Sequence, residues 1–122
     1  MSLLSNQAIE FRRAYDIQNS LSARGRQRSL IVEEFKEFLD ADRQMILMHP
    51  QDREATLKEL ADLIYVCAQY AENMNWDIEQ ALRRVHKSNM SKLGDNGKPI
   101  KREDGKVLKG PNYEPPDLSD LV

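Results

Sequence analysis

The chain has 122 residues, enough for one domain with a modest core, and 31% of them are charged with a net charge of only −2. That balance gives no pull towards nucleic acid or an anionic membrane, and no apolar run reaches the length of a transmembrane helix. One cysteine excludes an internal disulfide, two histidines with it make no zinc set, and the absence of a signal-peptide core predicts a cytoplasmic protein.

Apolar residues at Leu4, Ala8, Phe11 and Tyr15, and less regularly Ile17 and Leu21, predict a first helix over about 4–22. Residues 22–28 break the pattern and read as a loop bearing Arg24, Arg26 and Arg28, either solvated or turned towards phosphate. Ser29 is the candidate N-cap of a second helix, whose apolar side is Leu30, Ile31, Phe35, Phe38, Leu39, Met45 and Ile46, up to Pro50. A third helix over about 52–73 carries Leu57, Leu60, Leu63, Ile64, Cys67 and Ala71 at helical period, widened by Val66 and Tyr70. So wide an apolar surface on a small helix predicts a homodimer or homotetramer. Trp76 and Asp77 read as staple and N-cap of a fourth helix over about 77–92, with a stripe of Ile78, Ala81, Leu82 and Val85. At the same period the stripe reaches Asn89 and Lys92. Either an amide and an ammonium face inward there, or the helix end has left the core.

Residues 94–122 hold four of the five glycines and four of the five prolines. Asp104-Gly105, between residues 98–101 and 106–109, is a turn signal that predicts a small β-hairpin followed by an extended tail. The five basic residues Lys98, Lys101, Arg102, Lys106 and Lys109 either lean over a phosphate or solubilise the hairpin. The expected fold is all-α, a four-helix core over 1–93 with a hairpin and extended tail over 94–122.

Two acidic pairs concentrate the chemistry. Glu34 with Glu37, and Glu59 with Asp62, are each three residues apart and therefore neighbours on a helix surface. Either pair alone is ordinarily a solvated helix face. If their helices pack side by side, the four converge, and two like charges at ~5 Å repel by about 3 kcal/mol at an effective dielectric near 20. Such a cluster wants a cation, and an all-oxygen set suits Mg²⁺ or Mn²⁺.

Glu34-x-x-Glu37, twenty-one intervening residues and Glu59-x-x-Asp62, with Leu60, Leu63 and Ile64 around the second pair, resembles the signature of the all-α nucleoside triphosphate pyrophosphohydrolases. That superfamily holds MazG, the dimeric dUTPases, dCTP pyrophosphatase and phosphoribosyl-ATP pyrophosphatase. The resemblance covers about residues 5–93, and the tail is similar to that of short phage and bacterial MazG-like proteins. It implies a MazG-like core and metal-dependent hydrolysis of a nucleoside triphosphate to the monophosphate and pyrophosphate, serving nucleotide-pool control. Glu34, Glu37, Glu59 and Asp62 would hold two or three Mg²⁺ or Mn²⁺ ions, Glu33 or Glu37 would act as the base, and Asn89 and Lys92 would hold phosphate. No motif specifies the nucleobase; similarity to the short phage type favours a purine such as dGTP or GTP. The alternatives are a phosphoribosyl-ATP pyrophosphatase-like enzyme, set lower because of the basic tail, and a non-catalytic helical interaction module.

Overall fold

The computed structural model describes residues 3–122 and, among them, four α-helices. These are α1 (Leu3–Ala14), α2 (Arg24–Gln44), α3 (Pro50–Asn73) and α4 (Ile78–Met90), with 3₁₀ turns at Leu21–Ala23 and Ser119–Leu121. The chain forms two compact units, one ending at Ile78 and the other running Glu79–Val122. No helix among the described residues is long and apolar enough to cross a membrane.

The first unit is built on α2 and α3, which make the most extensive helix pairing in the chain, with α1 packed on α3. A short link, residues 45–49, turns the chain back on itself, as in an antiparallel helix hairpin. Met48 takes a left-handed φ of 58° in that link. Pro50 does not end the preceding helix by itself; it occupies the first turn of α3, where its missing N–H breaks no intrahelical bond.

The first helix stops well short of residue 22. Asp16 adopts a left-handed φ of 54°, Asp16 N–H reaches Arg13 C=O and Ile17 N–H reaches Arg12 C=O at 2.8 Å. This is a Schellman stop, built on an aspartate where glycine is usual. The end of α3 repeats it with Asn75 at φ 60°, its N–H on Glu72 C=O and Trp76 N–H on Ala71 C=O. The expected arginine loop is helical instead. Ser20 Oγ accepts from Ala23 N–H to start the 3₁₀ turn, α2 follows directly at Arg24, and Ser29 lies inside it, donating to Gly25 C=O.

Beneath these turns lies a buried guanidinium. Arg12 is 3% exposed and donates to Asn19 Oδ1, Gln69 Oε1, Asn73 Oδ1 and Gln18 C=O, at 2.6–3.2 Å. Asn73 in turn brackets Ser20, accepting its N–H and donating to its C=O. Asn19 Nδ2 reaches Asn75 Oδ1 at 3.1 Å, tying one helix stop to the other. The buried apolar residues among those described are Ala8, Ala68 and Ala71, on the two helices α1 and α3. Apolar residues such as Phe11, Phe38, Leu39 and Leu63 on α1, α2 and α3 are half-buried.

In the second unit α4 ends at Met90, so Lys92 lies in the turn beyond it rather than on the helix. The expected β-hairpin does not form, and no strand occurs among the described residues. What remains is one isolated antiparallel bridge, Lys101 to Val107, around a turn where Gly105 takes φ 88°. Ile100, Val107 and Leu108 stay 37–45% exposed, so the turn has no buried face to extend its pairing.

Arg12→Ala should lower stability by about 3 kcal/mol, because it removes the guanidinium donor from the buried Gln69 amide oxygen and leaves Asn73 Oδ1 with Ser20 N–H alone. Arg12→Lys should cost nearly as much, since one ammonium cannot reproduce the planar fork. Urea unfolding measures both, and losses below about 1 kcal/mol would contradict a polar clamp at Arg12.

Candidate active site

The hairpin of α2 and α3 aligns positions about equally far from their link. Glu34 on α2 meets Glu59 and Asp62 on α3, each offering one carboxylate oxygen, all within 4.8 Å of one another. All three residues are half-buried. Glu34 Oε2 and Glu59 Oε2 are screened from water and have no hydrogen-bond partner. Unpartnered buried acceptors are costly, and a cation is what would complete them. The donors are all oxygen, which fits a hard divalent ion.

Electrostatics register the crowding. Burial first, then a hydrogen bond to Glu37 and the charges of Glu37, Asp62 and Glu59, push the Glu34 carboxyl up from 4.5 to about 7. Lys58 supplies the nearest positive charge, with Nζ at 2.7 Å from Asp62 Oδ2 and 3.6 Å from Glu59 Oε1. Its side chain is 66% exposed, so solvent screens the pair and it offsets little of the repulsion. The sequence reading passed over Lys58, although its place four residues before Asp62 on a helix was the available signal.

Of the other acidic candidates, Glu37 is exposed and lies outside the converged trio but touches it through Glu34. Glu33 is exposed beside Glu34 on α2 and is not part of the trio. Arg24, Arg26 and Arg28 are exposed on the first turns of α2. In the second unit, Asn89 is exposed on the last turn of α4 and Lys92 is half-buried just after it, its C=O accepting Gly110 N–H at 2.8 Å.

A raised carboxyl pKa makes stability depend on pH in a definite direction. Between 4.5 and about 7 the unfolded chain ionises Glu34 while the folded one keeps its proton. Stability therefore falls as pH rises through that window, and the deficit is complete above it. In EDTA, Glu34→Gln should melt higher than wild type at pH 8, with the gap closing as pH drops to 4.5. Excess Mg²⁺ at pH 8 should reverse the order. Parallel melting curves for the two proteins across this range would show that Glu34 is not electrostatically strained.

The family model of phosphoribosyl-ATP pyrophosphohydrolase matches residues 5–89. That span includes both acidic pairs and the helices α2 and α3 that carry them, and excludes the tail whose basic character had set this family behind its relatives. Compared with curated proteins, the chain has no match. The match supports pyrophosphohydrolase activity on a nucleotide. On this span, the chain belongs to the phosphoribosyl-ATP pyrophosphohydrolase family, among the MazG-like all-α nucleoside triphosphate pyrophosphohydrolases.

Proposed function

We propose that the protein hydrolyses a nucleoside triphosphate to the monophosphate and pyrophosphate, favouring a purine such as dGTP or GTP, in cytoplasmic control of the nucleotide pool. The observation that carries this reading is the trio Glu34, Glu59 and Asp62, converged within 4.8 Å with two buried oxygens unpartnered, inside the matched residues.

Glu34, Glu37, Glu59 and Asp62 would hold Mg²⁺ or Mn²⁺, two or three ions, which when bound neutralise the triphosphate and acidify water. Glu37 is favoured over Glu33 as proton acceptor, because it is the one in contact with the trio. Asn89 and Lys92 hold phosphate, Lys92 offsetting charge on the leaving pyrophosphate. A second reading, phosphoribosyl-ATP as substrate, is favoured by the name of the matching family and involves the same bond.

The working form is a homodimer or homotetramer. On α2, Val32 and Phe35 lie one turn apart, 46% and 48% exposed; on α3, Leu57, Leu60 and Ile64 repeat at helical spacing, 66%, 38% and 47% exposed. A second copy burying such stripes would give the apolar interface that obligate dimers have.

Incubation with Mg²⁺ and the eight common nucleoside triphosphates, and separately phosphoribosyl-ATP, should release pyrophosphate as the first product. Primary release of orthophosphate would remove the assignment. In the same assay Lys92→Ala and Asn89→Ala should each lower kcat/KM about tenfold, the loss of a charge-assisted phosphate contact, with helical content unchanged.

Sedimentation at micromolar concentration should give a mass two or four times 14.1 kDa. Phe35→Glu or Ile64→Glu should shift it towards monomer. A wild-type chain sedimenting cleanly at 14.1 kDa is the result that contradicts the assembly.

A further inference from the structure

The sequence reads the C-terminus as an extended tail, and in the second unit that tail is fastened along α4. Gly110 N–H donates to Lys92 C=O at 2.8 Å. Ser88 Oγ, on a buried residue, donates to Glu114 C=O at 2.7 Å, and Glu114 N–H returns to Ser91 Oγ at 2.9 Å. Farther back, Arg84 donates to Asp117 C=O at 3.0 Å and pairs with the Asp120 carboxylate. The crossing is closest at Gly110. A Cβ there would meet Lys92 C=O and Leu93 C=O oxygens at 2.6 Å, a distance that no side chain tolerates.

The last carbonyls of α4 are taken up by the turn that follows it, with Ser91 N–H on Lys87 C=O, Lys92 N–H on Asn89 C=O and Leu93 N–H on Met90 C=O. The strap adds bonds of a different kind, to two serine hydroxyls and to the carbonyl of Lys92. Here the strap ties down the chain at residues 88, 91 and 92, on either side of Asn89 and at Lys92 itself. A solubilising tail has no use for such close approach. A side chain that must meet a phosphate does need a fixed backbone, because every freedom frozen on binding subtracts from affinity and misplacement by an ångström costs turnover.

We infer that residues 110–121 are a strap that positions the end of α4, with Gly110 and Ser88 as positioning residues for Lys92. The inference rests on the reading of Asn89 and Lys92 as phosphate-binding. It makes the C-terminal segment part of the catalytic apparatus while touching no reacting atom.

The test is a double-mutant cycle between Gly110→Ala and Lys92→Ala in the full chain, assayed for kcat and KM with the best triphosphate. Gly110→Ala should lower kcat/KM about tenfold, to the level of Lys92→Ala, while helical content and the Mg²⁺-induced rise in melting temperature stay as in wild type. Added to Lys92→Ala, it should cost less than about twofold more, because its effect passes through Lys92. Equal costs in both backgrounds, or wild-type kinetics for Gly110→Ala, overturn the strap. An unaffected Lys92→Ala overturns instead the phosphate-binding reading beneath it. Should Gly110→Ala fold poorly, Ser88→Ala removes one strap hydroxyl without a clash and carries the same comparison.

Discussion

Repulsion among three carboxylates on the seam between α2 and α3 is the constraint on which the first unit depends. Glu34, Glu59 and Asp62 lie closer than free carboxylates would choose, and two of their oxygens are buried without a partner. Lys58, exposed, compensates only at the edge. The seam is therefore held by what lies at its two ends. At one end the short link and Pro50 fix the return of the chain; at the other, Asn73 grips Ser20 and is itself tied to Arg12. Holding the middle against its own repulsion keeps three carboxylates together on one seam.

The choice of amide oxygens around Arg12 has a consequence. A guanidinium desolvated among Asn19, Gln69, Asn73 and a backbone carbonyl is satisfied in its hydrogen bonds and not directly in its charge. Burial lowers its pKa and the field of Glu72 acts in the opposite direction. The geometry of the planar fork thus sets the angle between α1, α3 and the turn leading into α2. The two left-handed stops at Asp16 and Asn75 keep those helices from running on past the clamp. Small alanines at the buried positions of α1 and α3 go with such polar fastening, since they add little apolar area of their own.

The second unit solves a different problem by similar means. A helix of thirteen residues is marginal alone, and α4 gains a neighbour from its own downstream chain. Prolines at 111, 115 and 116 keep that segment extended, and glycine at 110 lets it pass close over the helix end. Extended chain without sheet pairing still satisfies its backbone, because α4 side chains and a carbonyl beyond its end serve as partners.

Helical periodicity and residue spacing were enough to read four helices and the acidic pairs on two of them. These are local properties: a three-residue spacing on a helix fixes which side chains are neighbours whatever surrounds it. The convergence of Glu34 with Glu59 and Asp62 was legible only as a condition, since it needed α2 and α3 to lie antiparallel in one register. Helix ends were misread where long-range bonds decided them. Arg12 captures the chain at residues 18 and 19 and so stops α1 early, and Ser20, held by Asn73, starts the next helix before Ser29. The tail was misread for the same reason. Asp104-Gly105 does make a turn, but pairing spreads from a turn only if one face is buried, and tertiary contacts spent the rest of that segment on α4 instead.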